Sequence, residues 1–444
     1  MFERNILTYL AHWRLKKGRK PLILRGARQV GKTSAVILFA EQYFEDFLSI
    51  NLEKAEHFEL FKETKTIAEF EKIVDLVFQK KLSAGKTLVF IDEIQSAPNL
   101  IALLRFFYEE RPALHIIAAG SLLEAKIAKE GLSLPVGRVE YAWVYPLTFF
   151  EFLGAVGEKR LLKYLQEVDL KTTILPTIHN RALKLFYEYA LVGGMPEAVF
   201  LYSKKNSQAE INSYYASLLT AYSEDVYKYA STAQTKYLRH VLEQAPYYSG
   251  QHITYEKFGG GDWRSREMSE AFEILEKTML VRQVMATRST SLPLSWQNKA
   301  SKKLLYLDVG LVNFKNNLQA QYLTVADLND VYRGNIAEQI VGQNIIANEI
   351  HCEQQLFYWT KEKPASSAEV DFCVAHKGRL IGIEVKSGHA GKMKSLAVFS
   401  RDVEKASLFR LYSGEMRSDV FTKGSKRKLV SLPFYLVNRL FDFC

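Results

Sequence analysis

The stretch Gly26-Ala27-Arg28-Gln29-Val30-Gly31-Lys32-Thr33 meets the pattern G-x-x-x-x-G-K-[ST] at each fixed position. Its flanks decide how it is read. Pro21 to Leu24 is a short apolar run with the character of a buried strand, and Ser34 to Tyr43 carries helical spacing. A loop joining a strand to a helix turns successive backbone N–H groups toward one point, and the helix N-terminus adds positive potential there. Gly26, Ala27, Arg28, Gln29, Val30, Gly31, Lys32, Thr33 and Ser34 are therefore expected to cradle a nucleoside triphosphate, taken as ATP. Lys32 would reach the β- and γ-phosphates, and the Thr33 hydroxyl would ligate Mg²⁺. The competing reading is a glycine-bearing turn with an incidental lysine, and the strand-to-helix frame speaks against it.

Downstream, Phe47 to Leu52 reads as a second strand, and residues 58–81 show helical spacing. Leu88-Val89-Phe90-Ile91-Asp92-Glu93 then sets two carboxylates after four apolar residues. This suits a buried parallel strand whose C-terminal edge faces ligand. Asp92 is expected to hold Mg²⁺, directly or through water, and Glu93 to polarise the attacking water. Leu114 to Ala119 is a further strand. Ser121 beyond it either contacts the γ-phosphate or the water, or caps the next helix. Arg138 sits in a polar turn before the strand-like Val139 to Val144. It reads as a finger reaching a nucleotide in a neighbouring copy of the chain, which implies a homo-oligomer, or as a surface arginine. Gly85-Lys86-Thr87 lacks the earlier glycine and runs into a strand, so it reads as a decoy.

The whole chain bounds these expectations. At 444 residues it exceeds what one core organises. A formal charge of +10 favours a polyanionic partner, nucleic acid first, although solubility alone is the bland account. The cysteines Cys352, Cys373 and Cys444 are scattered without metal-ligand spacing, which excludes a disulfide framework and suits a reducing compartment. No apolar run is long enough to span a bilayer, so no membrane insertion and a cytoplasmic location are expected.

From Phe149 to about Tyr229, Leu, Tyr and Phe recur at helical spacing, interrupted at Gly193-Gly194 and Pro196. This suits helices packed as a lid on the nucleotide domain. Beyond it, helices over Tyr237 to Ala245, Thr254 to Phe258 and Arg264 to Lys277, followed by a strand-like Leu280 to Thr287, give the order of a winged helix-turn-helix. Arg264, Ser265 and Arg266 at the start of the third helix would face phosphates or base edges, or the module would contact protein instead.

Near the C-terminus, Ala368 to Val374 and Leu380 to Lys386 read as two strands of a hairpin turning at Lys377-Gly378. Side chains alternate along a strand, so Glu384 and Lys386 point the same way, and Asp371 on the partner strand meets them. Glu338, on a helix from Ile336 to Asn348, joins the group. Carboxylates with a lysine suit a Mg²⁺ site for phosphodiester hydrolysis, or a structural pair in which Lys386 neutralises Glu384. Glu338, Asp371, Glu384 and Lys386 resemble the PD-(D/E)xK nuclease pattern. Basic stretches at Lys392 and Lys394, and at Lys423, Lys426, Arg427 and Lys428, would follow a phosphate backbone or form ordinary surface.

The phosphate loop, Phe90-Ile91-Asp92-Glu93-Ile94-Gln95, Gly120-Ser121, Gly137-Arg138, Pro146-Leu147-Thr148-Phe149 and Gly193-Gly194-Met195-Pro196-Glu197 occur in one order. In this the chain resembles, along essentially its full length, a prokaryotic family. Its members are AAA-type ATPases, close to the archaeal and STAND-like branch, with an uncharacterised C-terminal domain resembling restriction endonucleases. One departure is Ala118-Ala119-Gly120-Ser121-Leu122, where many relatives carry Thr-Gly-Ser-Ser. The expected architecture is α/β: a P-loop NTPase parallel sheet over residues 1–150, a helical lid over 151–230, a winged-helix-like module over 231–300 and a restriction-endonuclease-like α/β domain over 301–444. The expected function is Mg-dependent ATP hydrolysis whose nucleotide state controls a DNA-binding, and in its fuller form DNA-cleaving, C-terminal domain. The alternative is a nucleotide-gated signalling or protein-interaction switch without nuclease activity.

Overall fold

After helix α1 (Asn5–Leu15), the apolar run before the phosphate loop forms strand β1 (Leu22–Arg25), and the loop delivers the chain into α2 (Lys32–Tyr43). Strand β2 (Asp46–Asn51) follows. The helical spacing of 58–81 resolves into two helices, α3 (Ala55–Phe61) and α4 (Ile67–Phe78). The break falls where Thr66 and Glu69 form a capping box that starts α4 anew. Strand β3 (Thr87–Asp92), helix α5 (Pro98–Glu110), and strands β4 (His115–Gly120) and β5 (Glu140–Trp143) complete the first layer. The sheet is wholly parallel in the order β2-β3-β4-β1-β5. Parallel strands need cover on both faces. One face packs on α3, α4 and α5 through Phe61, Phe70 and Phe107. The other belongs to a core that continues through α1, α2 and the rest of the chain. The computed structural model describes every residue except 122, 124–125, 127–134, 319–333, 362–367, 387–392 and 422–426, with Tyr229 described by its backbone alone.

The expected helical lid comprises Phe149–Ala155, Lys159–Glu167, Pro176–Val192, Pro196–Ser203 and Gln208–Tyr229. Proline opens two of these helices, where its missing N–H costs nothing. Helix Thr232–Gln244 follows, starting earlier than its apolar spacing suggested because Ser231 and Gln234 cap it.

The short helix expected over Thr254 to Phe258 does not form. Residues just before it are taken by strand β6 (Gln251–Ile253), Lys257 adopts a left-handed conformation, and only a 3-10 turn at Phe258–Gly260 remains. The third helix does form, Ser265–Lys277, with Met268, Ala271, Phe272 and Leu275 buried. Its other side carries Arg266, Glu270, Glu273 and Lys277, with Arg266 paired to Glu270 and Lys277 to Glu273, so that face is charge-balanced.

Strand β7 (Val281–Thr287) pairs with β8 (Lys302–Tyr306), a hairpin that straddles residue 300. It does not end there. β7 also pairs in parallel with β9 (Phe357–Lys361), and the sheet runs on through β10 (Ala368–His376), β11 (Arg379–Val385), β12 (Ala406–Tyr412), β13 (Arg417–Phe421) and β14 (Arg427–Pro433). The result is one nine-stranded sheet, β13-β14-β12-β11-β10-β9-β7-β8-β6. Helix Lys394–Asp402 covers its outer face through Leu396 and Phe399. Helix Asn335–Ala347 joins the inner face to the common core. None of the described helices is long and apolar enough to cross a membrane.

Candidate functional site

The phosphate loop runs from the C-terminal end of β1 to the N-terminus of α2. Gln29 and Gly31 hold positive φ, at 64° and 92°, which turns the loop on itself. Gly26 is required by proximity, since a Cβ there would lie 2.3 Å from the Val144 carbonyl oxygen. Lys32 is only 6% exposed, and its ammonium donates to the Gly26 and Ala27 carbonyls at 2.8 and 2.9 Å. Burial pushes its pKa down to about 8, against the opposing pull of Glu93 and Asp92.

The Thr33 hydroxyl donates to Asp92 Oδ2 at 2.7 Å, so the two residues expected to share a magnesium ion meet across 59 residues of sequence. Burial raises the Asp92 pKa, partly offset by that bond. A hydroxyl and a buried carboxylate oxygen, side by side at the loop's end, are hard oxygen donors that fit Mg²⁺ with its retained waters. Glu93 follows in a left-handed conformation, φ 54° and ψ 44°, which separates its side chain from that of Asp92. Gln95 donates through Nε2 to Glu93 Oε2, and the Ser121 hydroxyl approaches the same oxygen at 3.4 Å. Ser121 is thus joined to Glu93. Gly120 is what admits Gln95, since a Cβ at 120 would lie 2.2 Å from the Gln95 amide oxygen.

These side chains line a cleft of about 580 Å³, with Arg28, Gln29, Ser34, Asn51 and Glu53 on the loop side and Pro196, Glu197 and Tyr214 facing them from the lid. Arg28 is anchored across the cleft: Nη1 bonds both oxygens of Asp225, and Nη2 bonds Glu53 at 3.1 Å. Tyr222, one turn earlier, donates its hydroxyl to the Arg28 carbonyl at 3.0 Å. Arg4 secures the other side, bonding the carbonyls of Val30 at 3.1 Å and Tyr145 at 2.7 Å and the Glu151 carboxylate at 3.0 Å. Arg138 lies elsewhere. β5 runs parallel to β1 with Glu140 beside Leu22, so Arg138 sits at the opposite edge of the sheet from the loop, paired with Glu109 at 2.8 Å.

The Gly193-Gly194 turn is a joint. Leu147 N–H donates to the Gly194 carbonyl at 2.6 Å, and Gly194 N–H donates to Asp308 Oδ2 at 2.6 Å. A Cβ on Gly193 (φ +86°) would lie 2.1 Å from Asp308 Oδ1. Asp308 also accepts from Gly310 N–H, the Tyr215 hydroxyl and Gln343 Nε2, and burial raises its pKa to about 6. Gln343 belongs to helix Asn335–Ala347, whose Asn344 accepts from Phe149 N–H at 3.0 Å. One helix therefore touches the ATP-side junction at its middle and carries Glu338 near its start.

At that start is the carboxylate cluster. β10 and β11 pair with Phe372 beside Ile383, which puts Asp371 opposite Glu384. Asp371 Oδ2 accepts from Val385 N–H at 2.7 Å, and Lys386 pairs with Glu384 Oε1 at 2.9 Å. Glu384 Oε2 is buried without a hydrogen-bond partner among the described residues.

Lys303, which the sequence reading passed over, stands among these acids. It is 1% exposed, donates to Glu338 Oε2 at 2.5 Å and to the Asp371 carbonyl at 3.3 Å, and lies 3.7 Å from Glu369. Burial opposes its charge, yet Glu338, Asp371 and Glu369 hold it protonated well above the ordinary lysine range. Burial raises both Glu338 and Glu384 to about 7, with Asp371 adding to each. Among the described residues, no three Asp, Glu, His or Cys side chains are placed to share one metal ion. Of the two or three carboxylates expected to gather here, Glu338 is paired with Lys303, and Asp371 with Glu384 stand together. Lys392, Lys423 and Lys426 lie outside the described residues.

Residues 18–153 match a family model described as an AAA domain. Residues 183–322 and 333–435 match models of two domains of unknown function, DUF8612 and DUF4143. The nucleotide-binding layer is therefore an AAA-type ATPase domain, a class that binds and hydrolyses nucleotide. No curated protein matches the chain. Among solved structures it is similar to the Thermotoga maritima RuvB Holliday junction branch migration motor, at 14% identity and a TM-score of 0.30, covering 64% of this chain and 90% of that one. It is also similar to the Aeropyrum pernix ORC1 protein in complex with DNA, at 13% and 0.29, covering 71% and 91%. With C. elegans PCH-2 the figures are 14% and 0.27, and the similarity covers 44% of this chain and 59% of that one.

Proposed function

We propose that the chain is a Mg-dependent ATPase whose nucleotide state controls how its C-terminal domain engages DNA. The observation that carries this is the meeting of Thr33 and Asp92 at 2.7 Å beside an oriented Glu93. When bound, Mg²⁺ supplies charge neutralisation at the phosphates, held by Thr33 and Asp92. Lys32 exchanges the Gly26 and Ala27 carbonyls for phosphate oxygens. Glu93, held by Gln95 and Ser121, orients the attacking water and accepts its proton. Arg138, facing away from its own site, acts in trans if copies assemble.

Control passes through contacts already described. Arg28 links the loop to the lid at Asp225, the Gly194–Leu147–Asp308 joint links lid and ATPase domain to Gln343, and helix Asn335–Ala347 reaches the carboxylate cluster. Two tests separate the parts. Loss of ATP turnover in Lys32→Ala supports the nucleotide site. Oligonucleotide affinity measured without nucleotide, with ADP, and with ATP in Glu93→Gln tests control. Equal affinity in all three states rejects control and leaves a nucleotide-gated switch for a protein partner.

A second reading adds phosphodiester cleavage at Asp371, Glu384 and Lys386, favoured by the unsatisfied buried oxygen of Glu384. It predicts Mg²⁺- or Mn²⁺-dependent nicking that Asp371→Ala abolishes while ATP turnover persists. Intact DNA under the same conditions rejects it.

A further inference from the structure

At the end of the nine-stranded sheet remote from Asp371 and Glu384, the starts of β11, β12 and β14 open into a recess of about 1130 Å³. Arg379 opens β11, and Lys405 immediately precedes β12, its carbonyl accepting from Leu380 N–H at 3.0 Å. Lys428 is the second residue of β14. The register fixes their faces. Leu380 pairs with Ala406 and Leu408 with Leu429, so Arg379 stands beside Lys405, and Lys428 stands beside Ser407. Residues in register point the same way, as do residues two apart on a strand. Arg379, Lys405, Ser407 and Lys428 therefore share one face. Neighbouring strands lie ~4.8 Å apart and successive residues ~3.3 Å apart along each, so the three cations span about 12 Å across the strand starts, with Lys428 set two residues further along than Arg379 and Lys405.

All three cations are exposed, and no ion pair joins them to any described residue. Two neighbouring arginines are committed elsewhere: Arg427 donates to the Glu404 carbonyl at 2.6 Å, and Arg439 pairs with Asp442 at 2.8 Å. Asp169, on the opposite wall, is occupied by Thr172 and the Lys171 N–H. Behind the three cations the recess is floored by apolar Phe409 and Val430, with Phe443 at its side. Cations spread above an apolar floor match a chain with charges along one edge and flat, weakly polar groups along the other.

We propose that this recess binds the phosphodiester backbone of a single-stranded nucleic acid through Arg379, Lys405 and Lys428, with Ser407 as an additional donor. The proposal rests on the DNA-binding part of the function above and not on cleavage. The site is distinct from the carboxylate cluster, at the far end of the same strands.

The test uses the full chain and a fluorescent single-stranded oligonucleotide, titrated by anisotropy across a salt series. It compares wild type, the triple variant Arg379→Glu, Lys405→Glu, Lys428→Glu, and a control triple, Lys54→Glu, Lys65→Glu, Lys72→Glu, that alters net charge equally. ATP turnover is read on each sample. The expected result is an affinity loss of tenfold or more in the first triple alone, with a salt slope shallower by about 2, from three phosphate contacts at ~0.7 each. Equal weakening in both triples, unchanged binding in the first triple, or tighter binding to duplex or to anionic vesicles overturns the assignment. Unchanged binding in the first triple with nucleotide dependence intact overturns this surface and leaves the proposed function standing. Loss in the first triple without any nucleotide dependence does the reverse.

Discussion

Arg28 bonds both carboxylate oxygens of Asp225, at 2.9 and 2.7 Å, across 197 residues of sequence. The phosphate loop and the long lid helix are thereby one mechanical unit. Two hydrogen bonds from a guanidinium to a partly buried carboxylate are stronger than a typical surface pair. In a double-mutant cycle, Arg28→Ala and Asp225→Ala are each expected to destabilise, and the double variant to lose less than their sum, with a coupling of about 1–2 kcal/mol. Thermal unfolding of the four proteins checks this. Strictly additive losses would mean that the contact is incidental.

Glu93 is held by Gln95 and Ser121, so its role can be separated from theirs. Glu93→Gln is expected to bind ATP and to hydrolyse it ~100-fold or more slowly, as for removal of a general base. Gln95→Ala and Ser121→Ala keep the base but loosen it, and a fall in kcat of about tenfold with KM held is expected. If Glu93→Gln turns over normally, another group supplies the base.

The layout of the candidate nucleotide site was legible because its motifs are local. Gly26 to Thr33 and Asp92-Glu93 each carry their meaning within a few residues, and the strand-helix frame follows from apolar spacing. What stayed hidden depends on pairs far apart in sequence. Nothing beside Arg4 in sequence marks it, yet it braces the loop from the helix Phe149–Ala155 side through Glu151, 147 residues away. Lys303 sits in a strand next to a domain boundary drawn at residue 300, and nothing nearby announced that three acids would gather round it. The missing helix at Thr254 to Phe258 is the converse case. Its local spacing was helical, but pairing of β6 with β8 claims the residues just before it.

With Lys32 holding the phosphates as proposed, nucleotide binding depends on pH. Its folded pKa, about 8, lies below the ordinary 10.5, so the folded chain binds fewer protons than the unfolded one between those values. From this group alone, stability rises with pH across that window. Triphosphate favours the ammonium form and must restore the proton. ATP affinity is therefore expected to fall as pH climbs above about 8, approaching tenfold per pH unit, with uptake of about one proton on binding. Calorimetry in buffers of different ionisation enthalpy measures that uptake. Zero uptake above pH 8 would mean that Lys32 is already charged in the free protein.

The Gly193–Asp308 joint should tolerate little change. Asp308→Ala leaves the Gly194 and Gly310 N–H groups buried and unpaired, at about 1–3 kcal/mol for each orphaned donor. Gly193→Ala places a Cβ 2.1 Å from Asp308 Oδ1 at φ +86° and is expected to lose at least as much. Denaturant unfolding and ATP turnover should decline together, because the joint connects the lid to both halves. Full stability in Gly193→Ala would show that the turn relaxes freely.

The carboxylate cluster is the last test, and its signature is a pH profile. Glu338 and Glu384 have folded pKa values near 7 against an ordinary 4.5, so the folded state holds extra protons between these values. Their contribution to stability is full below about pH 4.5 and is lost as pH rises through about 7. Lys303 offsets part of that loss by neutralising Glu338. Replacing it in Lys303→Met leaves the acids to repel one another. Destabilisation of about 3–5 kcal/mol is expected near pH 8, where they must ionise, and clearly less near pH 6, where they keep protons. Equal loss at both pH values would assign Lys303 a packing role only. Mn²⁺ extends the experiment. If Asp371 and Glu384 take a divalent ion, adding it near pH 8 raises the unfolding temperature of the wild type, and Asp371→Ala abolishes the rise. If Lys303 already supplies the cation this cluster needs, the metal changes nothing in the wild type, and cleavage chemistry at the site is excluded with it.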